Sequence, residues 1–128
     1  MEERGAKLLG HGADCKLERL SSEDVHAVAS ALKAATALRK LELGRFDMGL
    51  EECQALGDGL RGLTSLTALS LIGVGLDDQG AAAIFEGLQA TKGSTLATLD
   101  LIETGSGPEV ARVVAEYLVV TASVTEVR

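Results

Sequence analysis

Leucines return at a fixed spacing along the chain. Leu38, Leu41 and Leu43 form one L-x-x-L-x-L unit, Leu66, Leu69 and Leu71 a second, and Leu96, Leu99 and Leu101 a third; Val124 and Val127 open a fourth. The units start 28, 30 and 28 residues apart. Inside each, apolar and polar residues alternate with period two, the pattern of a strand with one covered face. Further along each unit the period becomes 3.6. Ala81, Ile84, Phe85 and Leu88 stand at i, i+3, i+4 and i+7, one face of a helix. Cys53, Leu56, Gly57 and Leu60 hold the same places one unit earlier, and Val25, Val28, Ala29 and Leu32 one unit before that. One unit later the places fall to Ala111, Val114, Ala115 and Leu118. Each unit thus predicts a strand, a loop and a helix, with helices near 22–33, 50–61, 78–90 and 109–119. Ser21 or Ser22, Asp77 or Asp78, and Pro108 stand where helix starts need caps. The unit opening at Leu66 is longer by two residues, placed in the polar run Thr91–Thr95.

A fixed period of this length signals stacked structural repeats. The L-x-x-L-x-L strand followed by a G-A-x-x-[LI]-x-x-x-L helix resembles the leucine-rich repeat of the ribonuclease-inhibitor-like class, over about residues 10–128. The resemblance implies an α/β fold: a right-handed solenoid of about four strand-loop-helix repeats, with parallel strands on the concave side. It implies one domain over 1–128. Residues 1–12 are its N-terminal cap region, the repeats lie near 10–37, 38–65, 66–95 and 96–123, and 124–128 is a final edge strand. In the first repeat Ala13 and Cys15 stand where leucines are expected. The family also places Asn or Cys three residues after the third leucine. Here those places fall on Glu18, Phe46, Val74 and Thr104, and the chain contains no asparagine. The strand-exit loops are therefore expected to depart from the family, most at Phe46 and Val74. Their backbone groups must be satisfied by other backbone groups or water.

Composition narrows the picture. Of 128 residues 46% are apolar, yet the aromatics are only Phe46, Phe85 and Tyr117, so the core is aliphatic. A net charge of −7, from 12 basic and 19 acidic side chains, opposes a phosphate-backbone partner, and few rings are present for stacking on bases. No nucleic-acid partner is expected. No apolar run approaches the ~20 residues of a membrane span, so no membrane partner is expected. The charged start Met1-Glu2-Glu3-Arg4 lacks a secretory apolar segment, and a cytoplasmic location is expected. Cys15 and Cys53 are too few for a disulfide scaffold and read as buried, unlinked thiols.

The residues of chemistry give little. Gly57-Asp-Gly59-Leu-Arg-Gly62 has the letters of a dinucleotide fingerprint but closes a helix where the fingerprint must open one. His11, Cys15, His26 and Cys53 do not share a chelating spacing, and His26 falls on the outer side of the first helix. Glu42 and Asp100 stand two strands apart, roughly 9–10 Å, with no aromatic platform beside them. No catalytic residue, no cofactor and no metal is expected, and the chain does not read as an enzyme.

The residues between the leucines define an open face. Its expected rows are Gly12, Lys40, Ala68, Thr98 and Glu126; then Asp14, Glu42, Ser70, Asp100 and Arg128; then Lys16, Gly44, Ile72 and Ile102. Ala68, Ser70, Ile72 and Ile102 make a small, partly apolar centre, and Thr98 belongs to the same face. Arg39, Lys40, Glu42 and Arg45 flank it on one side, Asp100 and Glu103 on the other. A small centre with a charged rim suits a protein partner. The last helix reads as apolar nearly all round, with Val113, Tyr117, Val119 and Val120 off its inward stripe. That suggests association through the C-terminal end, as a homodimer or in a larger assembly. By resemblance the expected function is a non-catalytic protein–protein interaction module, an adaptor or scaffold gripping its partner on the concave face. The alternatives are a structural subunit docked through the C-terminal end, and a regulator of an enzyme such as a small GTPase or a ribonuclease.

Overall fold

The computed structural model describes residues 7–8, 10, 12–35, 37–46, 48–61, 63–75, 78–91, 96–101, 112, 114–117, 124 and 126–127. Strands and helices alternate: β1 (Asp14–Glu18), α1 (Ser22–Leu32), β2 (Lys40–Gly44), α2 (Leu50–Leu60), β3 (Ala68–Ile72), α3 (Asp78–Gln89), β4 (Thr98–Asp100) and β5 (Glu126–Val127). The five strands form one open sheet in the order of the chain, and every pairing is parallel. Parallel neighbours need a crossover between them, and a helix supplies it between each pair from β1 to β4. The helices make a single layer, α1 against α2 and α2 against α3. The fold is an α/β sheet-and-helix array.

The alternating residues explain which side is covered. Leu41 and Leu43 in β2, Leu69 and Leu71 in β3, and Leu99 in β4 are all buried. They join Val28 and Leu32 of α1, Leu56 and Leu60 of α2, and Ile84 and Phe85 of α3 in one aliphatic core. Three helix starts and ends agree with the periodicity to within one or two residues. Ser21 is the N-cap of α1: its hydroxyl accepts from the Asp24 amide at 3.2 Å, and the Asp24 carboxylate accepts from the Ser21 amide at 3.4 Å.

Hydroxyls tie one unit to the next. Ser65 Oγ donates to the Leu38 carbonyl at 2.6 Å, Thr67 Oγ1 to the Arg39 carbonyl at 3.1 Å, and Thr91 Oγ1 to the Leu60 carbonyl at 3.2 Å. Thr91 opens the run expected to be a polar loop, yet it is buried. The strand-exit loops close through backbone pairs, as expected: Met48 N–H donates to the Gly75 carbonyl at 3.4 Å, and Gly75 N–H to the Phe46 carbonyl at 3.3 Å.

Two registers differ from the sequence expectation. The first strand pairs Asp14, Lys16 and Glu18 with Lys40, Glu42 and Gly44, a shift of two residues from the expected Gly12, Asp14 and Lys16. Cys15 and Leu17 therefore take the leucine columns, and Ala13 is exposed. Three residues, 19–21, join β1 to α1, whereas five, 45–49, join β2 to α2. The shorter loop pulls the strand forward and places Leu17, not Ala13, against the core, which covers more apolar surface. Leu20, not Glu18, is then the equivalent of Phe46 and Val74, and all three pack on the core.

The second difference lies near the C-terminal end, where Arg112 and Val114–Tyr117 are helical. Val114 and Tyr117 face inward, and Ala115 is exposed. Tyr117 was expected on an exposed association surface; it is fully buried against Phe85. A ring that meets another ring removes more apolar area from water than the methyl of Ala115, and this sets the rotation of the helix. Val113, Val119 and Val120 lie outside the described residues, as do Ile102, Glu103, Thr104 and Pro108.

Candidate functional site

The strand residues that alternate with the buried leucines point away from the helices, and no helix covers them among the described residues. Their rows are set by the pairing. Asp14, Lys40, Ala68, Thr98 and Glu126 form the first, Lys16, Glu42, Ser70 and Asp100 the second, and Glu18, Gly44 and Ile72 the third. From β2 onward these are the rows the sequence predicts, so Lys40, Ala68 and Thr98 stand together, as do Glu42, Ser70 and Asp100. Arg39 and Arg45 flank β2 at its entry and exit, both exposed.

Charge on this face is paired at the β1–β2 end. Lys16 Nζ lies 3.4 Å from Glu42 and 3.7 Å from Glu18, and Arg45 Nε lies 3.9 Å from Glu18. Lys16, Glu18 and Arg45 are exposed and Glu42 is half-buried, and a surface pair of this kind is worth about 0–1 kcal/mol. Lys40 is exposed, and Ala68, Ile72, Thr98 and Asp100 are half-buried. Ser70 departs from expectation: it faces outward but is only 6% exposed. It is the shortest polar side chain in its row, shadowed by Glu42 and Asp100 on the neighbouring strands. Its hydroxyl has no hydrogen-bond partner among the described residues. A buried hydroxyl without a partner costs about 1–3 kcal/mol.

The strand exits carry a feature that the periodicity does not show. The residue after each of β1, β2 and β3 is left-handed: Arg19 at φ 55°, Arg45 at φ 60° and Gly73 at φ 67°. Their alignment follows the observed register, one residue past Glu18, Gly44 and Ile72. The Arg19 and Arg45 amides continue the ladder, donating to the carbonyls of Gly44 and Ile72 at 3.0 Å each. A side-chain-bearing residue pays about 1–2 kcal/mol for this conformation. Glycine does not, and Gly73 is the residue type the turn favours. Sequence offers no signal for Arg19 and Arg45 beyond their equivalence in the corrected register.

Other chemistry is sparse. Two shallow depressions lie on the helix side, about 130 Å³ beside Leu32, Gly59 and Leu63 and about 150 Å³ beside His26, Ser30 and Asp58. Both fall below the ~300–1,000 Å³ of ordinary small-molecule sites. The ligand atoms of His26, Glu51 and Glu52 lie within 4.8 Å of one another at the start of α2. Glu52 already accepts from the Gly49 amide at 3.2 Å and faces His26 Nε2 at 3.8 Å. The positive end of the α2 dipole is answered by these carboxylates, which accounts for their placement without a cation. His26 is exposed, as expected. Cys15 and Cys53 are buried and unlinked. Burial pushes the Cys15 thiol pKa up, and its Sγ sits 3.6 Å from the Leu8 carbonyl. On the helix side Lys33 holds the Asp58 carboxyl below the usual range through a 3.0 Å contact.

No helix among the described residues is long and apolar enough to cross a membrane. No protein-family model and no curated protein sequence matches the chain.

Proposed function

We propose that the chain is a leucine-rich-repeat solenoid of right-handed sense, acting in the cytoplasm as a non-catalytic protein–protein interaction module. Its partner lies on the concave face, across Arg39, Lys40, Glu42, Arg45, Ala68, Ser70, Ile72, Thr98 and Asp100. Ile102 and Glu103 are proposed to continue that face on sequence register alone. The observation that carries this reading is the sheet face, which no helix covers among the described residues. Side chains from four strands stand there in register, small at the centre and charged at the edge, with the Ser70 hydroxyl buried at its middle and unanswered.

The test compares two surfaces. Lys40→Glu changes an exposed side chain on the sheet face, and Glu86→Arg changes an exposed one on α3. Tagged forms of each are used to capture partners from the native cell, quantified by mass spectrometry. Lys40→Glu should strip partners that the parent and Glu86→Arg both hold. Equal retention by both variants, or loss only with Glu86→Arg, moves the site off the sheet. Docking through the C-terminal end has less support, because Tyr117, the largest side chain assigned to it, belongs to the core.

A further inference from the structure

Arg19 and Arg45 hold left-handed backbone in consecutive units, and the third unit uses glycine at the same turn. Arginine is not among the side-chain-bearing types enriched there, which are Asn, Asp and His. The turn itself gains nothing from an arginine, since its hydrogen bonds are made by the backbone. Strain held twice at equivalent positions, where glycine would relieve it, points to what the side chains do.

Their setting suits an anion. Both arginines are exposed, and they are rooted on neighbouring strands about 4.8 Å apart. Arg45 reaches Glu18 only at 3.9 Å, beyond hydrogen-bond length, and Arg19 makes no ion pair among the described residues. Beside them Gly44 is buried without a side chain, and a Cβ there would press on the Ile72 carbonyl oxygen at 2.9 Å. The column then ends at Gly73, which has no side chain to cover the Arg45 stem. Two exposed arginines thus stand side by side at the exits of neighbouring strands.

We propose that Arg19 and Arg45 form a paired-guanidinium site that takes the carboxylates of an acidic segment of a protein partner. The proposal rests on the protein-binding reading and names the chemistry of its partner. Carboxylates two residues apart on an extended peptide lie about 6.5–7 Å from each other, within reach of two long side chains one strand apart. Glu18 and Glu42 beside the pair oppose a long polyphosphate, which would lay charge over the whole face.

The probe is a fluorescein-labelled peptide of six glutamates, followed by anisotropy at low salt, with six glutamines and a single-stranded DNA oligonucleotide beside it. The glutamate peptide should bind at least tenfold tighter than either. The double variant Arg19→Gly/Arg45→Gly should melt a few degrees higher than the parent, because the strain is relieved, and bind the peptide at least tenfold more weakly. Arg19→Lys/Arg45→Lys keeps charge and strain but not the fork; it should melt no higher and bind with intermediate strength. The proposal fails if the glycine variant keeps its affinity, if it melts no higher than the parent, or if the oligonucleotide binds more tightly than the peptide. Should the glutamate peptide not bind while Lys40→Glu still strips the native partner, the acidic preference falls and the interaction module stands.

Discussion

The Tyr117 ring packs on Phe85 with centroids 5.1 Å apart and planes tilted by 32°, both side chains closed off from water. This contact joins the helical turn Val114–Tyr117 to α3 and carries the core past the last leucine strand. Tyr117→Ala should lower the unfolding free energy by about 3–5 kcal/mol through lost burial and the cavity left behind. Urea denaturation of Tyr117→Ala, Phe85→Ala and the double variant should show a coupling of about 0.5–1.5 kcal/mol. A loss below ~1 kcal/mol for Tyr117→Ala would return the ring to the surface.

Leu69 and Leu71 sit in the middle strand, fully buried, with Leu41 and Leu43 on one side and Leu99 on the other. Leu→Ala at either position should cost about 2–5 kcal/mol. Small losses at both, read from the same denaturation curves, would mean that β3 presents its other face to the helices.

Helix packing depends on missing side chains. A methyl at Gly57 would overlap the Ala83 carbonyl oxygen, and one at Gly87 would overlap the Gly57 carbonyl oxygen. Backbones this close leave no room to yield, so Gly57→Ala and Gly87→Ala should each destabilise by about 1–3 kcal/mol or more. Gly12→Ala is the control, since open space surrounds that position. Thermal melts in which all three variants match the parent would show that α2 and α3 can move apart freely.

The thiols should be slow. Cys53 is fully buried, and Cys15 nearly so in the edge strand β1. In native protein both should react with a thiol reagent far more slowly than after unfolding, Cys15 before Cys53 because an edge strand opens first. The Cys15 pKa is raised by burial, which favours the neutral thiol in the folded state. Its contribution to stability is thus present below the thiol's unfolded pKa and is lost as pH climbs through the higher folded value. Cys15→Ala should flatten the alkaline fall in melting temperature. An unchanged fall would assign it to other groups.

The leucine periodicity carried most of the fold, because a period-two strand and a period-3.6 helix demand different residues at every step. It failed where the units are unequal. Cys15 and Leu17 replace leucines in β1, and a loop two residues shorter moves their register without altering the helix spacing. A fixed offset also misplaced the phase at Val114–Tyr117, since it weighed Ala115 as much as a tyrosine. The close backbone approaches at Gly57 and Gly59 were not legible, because hydrophobic period is silent about how near two backbones come. On the open face the rows Lys40–Ala68–Thr98 and Glu42–Ser70–Asp100 were legible from spacing alone. The burial of Ser70 and the left-handed turn at Arg45 were not, for both depend on what the neighbouring strand does.

Among the described residues every strand pairs with the strand that precedes or follows it in the chain, and with no other. That order has a mechanical meaning. A pull that separates β1 from β5 meets the seams one at a time, at the outermost strand first, so the hydrogen bonds of one seam part before the next is loaded. The molecule should lengthen in steps, each releasing one strand with its helix, at forces well below those needed to slide paired strands past each other. It would act as a compliant link, giving way by a unit and taking it back when the load falls.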